Sequence, residues 1–198
     1  MTSDLRLKKI AREIARCPVC RKGCTGKAVP GEGAPDARIV FVGEAPGREE
    51  AKTGRPFVGR SGQLLREAIR KVGLVEGDVF ITSPVHYFPL SGTPSSGMIE
   101  HGKEHLFRQL DVIRPDIVVL LGATACRAVL GARVQVAKEH GRAVVRDRRT
   151  CFITLHPAYA LRFPAAKETF SADFRKLRRL ARKGSAATAV RKGAGHEL

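Results

Sequence analysis

Four short apolar runs, separated by stretches of helical periodicity, predict a three-layer α/β/α fold around a central, mainly parallel four-stranded sheet. The runs are Ala37 to Val42, Val79 to Thr82, Asp116 to Leu121 and Cys151 to Leu155. The third is apolar on both faces, as a central strand covered by helices on each side must be. The first and the last open into loops rich in chemistry, Gly43-Glu44-Ala45-Pro46-Gly47 and His156-Pro157-Ala158-Tyr159-Ala160-Leu161-Arg162. Open α/β sheets build their sites at such carboxyl ends.

Taken in order, Ser3 to Arg16 sets Leu7, Ile10 and Ile14 at helical spacing, with Ser3 as the candidate N-cap. A cysteine-rich segment and a Gly/Pro-rich loop, Thr25 to Asp36, lead into the first strand. Ser61 to Val72 reads as a helix stopped by Gly73. The second strand runs into a loop from Ser83 to Gly97, and Met98 to Ile113 is helical up to Pro115. Gly122 to Leu130 supplies the next helix, and Ala165 to Arg182 a final basic one. From residue 184 to 198 the chain turns small and polar and reads as a disordered basic tail, leaving residues 1–183 as one domain.

Composition narrows the function. The 198 residues are 43% hydrophobic, enough for a sizeable core. No run is long enough to span a bilayer, and Met1 to Arg16 lacks the apolar stretch of a secretory signal. A cytoplasmic, membrane-free chain is expected, with a monomer as the default. Thirty-six Lys and Arg against nineteen Asp and Glu give a formal charge of +17. Such a field steers a polyanion to the surface, although a generally basic proteome or ribosomal association would give the same balance.

Five cysteines, an odd number without a signal segment, argue against a disulfide framework. Cys17, Cys20 and Cys24 fall within eight residues, a metal-like density, whereas Cys126 and Cys151 sit in apolar stretches and read as buried, inert thiols. Near the first loop, Thr53-Gly54-Arg55-Pro56-Phe57-Val58-Gly59 adds an aromatic face on which a ring can stack. An acid-bearing glycine loop and a His-Pro loop at two strand ends point to a site that handles a nucleobase. Taken singly, Glu44 reads equally as a loop-solvating acid, Phe57 as core and His156 as a pre-proline structural residue.

The segments Gly43 to Leu65, Val79 to Ser83, Arg114 to Ala125 and Ile153 to Arg162 resemble, in order and spacing, the uracil-DNA glycosylase superfamily, and most closely its family 4. The likeness covers roughly Cys17 to Leu180. It implies a DNA repair enzyme of base excision that flips uracil, or another deaminated base, out of the duplex and hydrolyses its N-glycosidic bond. The product is an abasic site, and no lysine is placed for a lyase step. Glu44 would hold or activate water or stabilise positive charge on the sugar, with Glu50 supporting it. Phe57 would stack on the flipped base, with Ala45, Gly47 and Ser83 around it. His156 would stabilise negative charge on the departing base. Arg60, Ser61, Leu161 and Arg162 would meet the DNA, the last two from the loop that enters the duplex. The chemistry suits this division, since the reaction builds an oxocarbenium-like sugar and an anionic base, and the target must first leave the stack.

The chain departs from the family pattern in three places. Ser83 stands where the family has Asn, which leaves selectivity open and admits hypoxanthine or xanthine as alternative bases. The family's NRxP segment has no counterpart between Leu90 and Ser96. The family binds a [4Fe-4S] cluster through a CxxC pair and two later cysteines. Cys17 and Cys20 match the pair, but the later positions fall near Tyr87 and Gly102. Cys24 and His101, or His86 in place of His101, would complete the set, with the cluster as first expectation and a Cys3His zinc site as second. A non-turnover trap for uracil or abasic DNA is the rival from another class. The branch of the superfamily that traps covalently carries a basic His-bearing insert, KRRIH, which this chain lacks.

Overall fold

The computed structural model describes residues 1–131, 134–147 and 149–193, with side chains up to residue 182. Its helices are α1 (Ser3–Arg16), α2 (Pro18–Arg21), α3 (Arg48–Thr53), α4 (Arg60–Lys71), α5 (Ser96–Ile113), α6 (Ala123–Leu130), α7 (Val136–Glu139), α8 (Pro157–Arg162) and α9 (Pro164–Gly193). The strands are β1 (Cys24–Thr25), β2 (Glu32–Gly33), β3 (Ile39–Val42), β4 (Val79–Thr82), β5 (Phe88–Pro89), β6 (Ile117–Leu121), β7 (Ala143–Arg146) and β8 (Arg149–Thr154).

The main sheet has the order β2-β4-β3-β6-β8-β7. Its inner four strands, β4-β3-β6-β8, are mutually parallel and are the four apolar runs of the sequence. The sheet has six strands rather than four, because β2 and β7 pair antiparallel along its two edges. β2 is only Glu-Gly, and the apolar part of β7 is three residues, Ala143 to Val145, set between Arg142 and Arg146. Segments so short and so closely bounded by charge leave little trace in a hydropathy pattern.

Alternation along the inner strands builds two cores. Ile39, Phe41, Ile117, Val119, Leu121 and Phe152 face α4, α8 and α9, which contribute Leu65, Ile69, Ala160, Phe170, Phe174 and Leu177. Val40, Val42, Val118, Leu120 and Ile153 face α5 and α6, with Leu106, Leu110, Ala125 and Val129. Both faces of each inner strand are therefore dry, as parallel strands flanked by helices require. Cys126 and Cys151 are fully buried in the second core, where loss of solvation pushes their thiols up to about 12 and about 11. Helix α1 packs on α5 through a small third cluster of Ile10, Ile14 and Val112.

Local chemistry explains the element ends. Thr2 rather than Ser3 caps α1, its side chain accepting the Leu5 N–H at 3.4 Å. Ser95 caps α5 one turn earlier than the apolar pattern begins, accepting from Met98 N at 3.2 Å. The last helix continues to Gly193, beyond the expected end at Arg182, since its Ala, Arg and Lys residues favour helix. The expected tail thus overlaps α9 as far as 193, and residues 194–198 lie outside the described residues. Buried Asp173 fastens α9 to the sheet: it accepts from Thr154 Oγ1 at 2.9 Å and pairs with His140 Nδ1 at 3.0 Å.

Phe174 stacks on Phe41 with ring centroids 5.9 Å apart, so one contact joins α9 to a central strand. Phe174→Ala should lower unfolding free energy by about 3–5 kcal/mol in urea titration. Val145→Ala on exposed β7 should change it by less than about 0.5 kcal/mol.

Candidate active site

All four inner strands end at the same edge. The next residues along the chain are Gly43-Glu44 after β3, Ser83 after β4, Gly122-Ala123-Thr124 after β6 and, one residue on, His156 after β8. The chain passes from β3 to β4 on one side and later to β6 on the other, so a crevice opens between β3 and β6. Across it the Glu44 carboxylate accepts a hydrogen bond from Thr124 Oγ1 at 2.6 Å. Thr124 attracts no notice in the sequence, because only the crossover brings it opposite Glu44.

Two loops are locked together by Glu50, which is 8% exposed. One of its oxygens accepts from Val58 N and Gly59 N, both at 2.8 Å. The other accepts from Gly47 N at 3.0 Å. Three backbone amides thus engage the carboxylate expected to support Glu44 in catalysis. Its geometry is that of a positioning residue, joining the loop of Glu44 to that of Phe57 and fixing Gly47. Ala45 packs against the second core and is half-buried.

Phe57 has φ 51°, a left-handed conformation unusual for an aromatic residue. It is held there from several sides. Arg66 on α4 donates from Nε to the Phe57 carbonyl at 3.1 Å and from a terminal nitrogen to Pro56 O at 3.0 Å. The Phe57 ring lies directly over Gly43, where a Cβ would come within 2.6 Å of it. Beyond it stands His156, ring centroids 6.2 Å apart and tilted by 36°.

His156 caps α8, and its Nδ1 accepts the Ala158 N–H at 3.2 Å. A nitrogen that accepts carries no proton, so the neutral ring has its proton on Nε2, free to donate. Desolvation by burial holds the imidazole below its usual range, while the charge of nearby Glu44 opposes that shift. Acid and imidazole therefore share one electrostatic environment.

Ser83 is buried, and its hydroxyl donates to Val85 O at 2.7 Å. Its donor is spent locally, and lone pairs are what it can offer a ligand. Arg60 is exposed and Ser61 half-buried at the start of α4. Leu161 and Arg162 are exposed on α8, joined by Tyr159 and Phe163, whose rings lie 4.8 Å apart. This exposed aromatic pair was not singled out in the sequence; the four-residue spacing of 159 and 163, with Phe163 at the C-cap of α8, was its available signal. A groove of about 500 Å³ at the opposite, amino-terminal edge, lined by Ile39, Val79, Ile117 and Arg178, contains none of these residues.

A second cluster lies near the carboxyl end of β4, where Gly102 of α5 meets Pro84. Cys17, Cys20, His101 and His105 place one ligating atom each within 4.8 Å of one another, an arrangement able to hold a metal ion. Cys24 is not in that set. It pairs in β1 with β5 and remains near enough for its charge to raise the Cys20 thiol, after the larger effect of burial. His86 is also outside the set, buried with its ring 5.8 Å from that of His105. The group contains His105 where Cys24 was expected, and the place of His105 four residues after His101 on a helix was the signal that could have found it.

The donors do not fit a four-thiolate iron–sulfur cluster. At the two positions the resemblance assigns to later cysteines, Tyr87 is buried with its hydroxyl donating to Ala15 O at 3.1 Å. Gly102 lies so close to Pro84 that a Cβ there would overlap the Pro84 carbonyl oxygen.

Comparison with known proteins agrees with this geometry. The family model described as the uracil DNA glycosylase superfamily matches residues 30–179. The chain is 38% identical over 186 residues to a type-4 uracil-DNA glycosylase of Sulfurisphaera tokodaii, covering 88% of this chain and 84% of that protein. It is 38% identical over 165 residues to a type-4 uracil-DNA glycosylase of Thermotoga maritima, covering 81% and 86%. A type-5 uracil-DNA glycosylase of Pyrobaculum aerophilum is 34% identical over 151 residues, covering 67% of this chain and 66% of that protein. With an acid after β3, an imidazole after β8 at the same edge of the sheet, and a family match across most of its length, this chain belongs to the uracil-DNA glycosylase superfamily.

Proposed function

We propose that this protein is a monofunctional DNA glycosylase that hydrolyses the bond between deoxyribose and uracil in DNA. The observation that carries the reading is the fixed pair of Glu44, bonded to Thr124, and His156, with its proton directed to Nε2. As the C1′–N1 bond breaks, its electron pair leaves with the base and C1′ gains positive character. The carboxylate of Glu44 stabilises that character and orients the attacking water, which adds its oxygen to C1′ and gives a proton to the Glu44 carboxylate. From there the proton passes on to neutralise the departed base anion. His156 Nε2–H hydrogen-bonds the anionic base, and a neutral donor serves here as an oxyanion hole does. Thr124 and Glu50 keep the acid and its loop in register, so little reorganisation accompanies the reaction.

The flipped ring is bound against Phe57, whose strained backbone is held from several sides. Ser83 accepts from a ring N–H and, with its own hydrogen engaged, reads one position of the base edge rather than two. Leu161 and Arg162, with Tyr159 and Phe163, meet the duplex where the base has left, a wedge of exposed apolar groups. Arg60 and Ser61 contact phosphates, and the net charge of +17 supplies attraction along the DNA. The loops at this edge, 43–47, 57–62, 83–85, 122–124 and 156–162, contain no lysine, which supports simple hydrolysis without a Schiff base. No described helix is long and apolar enough to cross a membrane. A monomer working in the cytoplasm suffices for this chemistry.

Glu44→Ala and His156→Ala should each lower single-turnover cleavage of a uracil-containing duplex by about 10²–10⁴-fold while altering DNA binding only a few-fold. A denatured-gel adduct in place of free abasic product would identify a trap instead. Ser83→Asn should retain cleavage and raise the preference for uracil over hypoxanthine and xanthine, read from parallel assays on the three bases. NMR titration of His156 should place its midpoint below the ordinary histidine value. The corresponding stability is complete above that ordinary value and is lost as pH falls through the depressed one, because the unfolded chain then binds the extra proton.

A further inference from the structure

We propose that Cys17, Cys20, His101 and His105 bind a single zinc ion, which replaces an iron–sulfur cluster as the fastener between the N-terminal segment and α5. The donor set is two thiolates and two imidazoles, drawn from a CxxC turn and from positions i and i+4 of one helix. That is the ligand type and spacing of a closed tetrahedral zinc site. With zinc–sulfur bonds near 2.3 Å and zinc–nitrogen bonds near 2.0–2.1 Å, the edges of such a tetrahedron are about 3.3–3.8 Å long.

The distances decide between one ion and a cluster. All four ligating atoms lie within 4.8 Å of one another, and Cys17 Sγ stands 3.2 Å from His101 Nε2. Small movements bring such a set onto one ion. A cluster distributes its ligands over different irons separated by bridging sulfides, and so needs them farther apart. The space that later thiolates would occupy is also closed. Tyr87 is buried against Ala15, and α5 touches Pro84 at Gly102.

The surroundings are already arranged for a metal. Cys17 Sγ accepts the Cys20 N–H at 3.4 Å at the first turn of α2, which steadies a thiolate. Nδ1 of His105 is buried without a hydrogen-bond partner. Coordination, or a proton directed by coordination at the other nitrogen, gives it a defined state. Four protein ligands leave no open position, so the ion is structural rather than catalytic. It reinforces the small contact of Ile10 and Ile14 with Val112, by which α1 rests on α5.

Metal analysis of the purified full-length protein tests this independently of glycosylase activity. About one zinc per chain, with neither iron nor acid-labile sulfide, is the expected result. Iron with stoichiometric sulfide, or a folded chain free of metal, overturns the proposal. Cobalt exchanged into the site should show the visible d–d bands of a tetrahedral centre with thiolate ligands; octahedral bands overturn it. Cys17→Ser and His105→Ala should weaken zinc binding by at least about tenfold in a chelator competition. His105→Cys and Cys24→Ser should keep the ion, and loss of zinc from Cys24→Ser would overturn the ligand assignment even where the other variants fail to fold.

Discussion

The buried carboxylate of Glu50 is the interaction on which the geometry of the active edge depends. It accepts three backbone amides from two loops that are otherwise short on regular structure. A single ionised group receiving several N–H donors is a strong junction, because each bond is charge-assisted and the alternative is a buried charge without partners. It sets Gly47, Val58 and Gly59 in place, and through them the distance between the Glu44 loop and the Phe57 ring. The sheet supplies the strand ends, while this junction decides how the loops leave them.

The layered fold was legible in the sequence because inner parallel strands must be apolar on both faces, and four runs met that requirement. The starts of the expected helices came within a few residues, limited by capping side chains such as Thr2 and Ser95 that sit outside the apolar pattern, while the end of α9 lay well beyond the expected Arg182. The edge strands β2 and β7 were hidden, as one is only Glu-Gly and the other a three-residue apolar stretch between arginines that pairs along the sheet's margin. At the site, Glu44, Phe57 and His156 were visible because loop, aromatic and His-Pro motifs are local. Thr124 was not, since it meets Glu44 only through a crossover 80 residues long. The same reason separates Cys24 from His105. Nearness in the chain favoured the third cysteine, while the fold brings a helix face to the CxxC turn instead.

The metal corner and the catalytic edge are joined by the loop after β4. That loop begins at Ser83, runs through Pro84 against Gly102 and continues to Tyr87 and to β5, which pairs with β1. A metal ion joining Cys17 and Cys20 to His101 and His105, as proposed, would immobilise the neighbours of Ser83 as well as the terminus. A change in the chemistry of the fastener need not disturb catalysis, provided the loop is held equally well.

The conformation of Phe57 bears on how the protein searches. Its ring is pinned over Gly43 before any ligand arrives, by a backbone that would relax if Arg66 released it. If the base stacks on Phe57 as proposed, a ring already held in place puts discrimination between bases at the moment of entry. A base too large, or one whose partners still hold it in the duplex, returns to its stack without a conformational commitment by the protein. Scanning can then be fast, because most encounters leave nothing to undo.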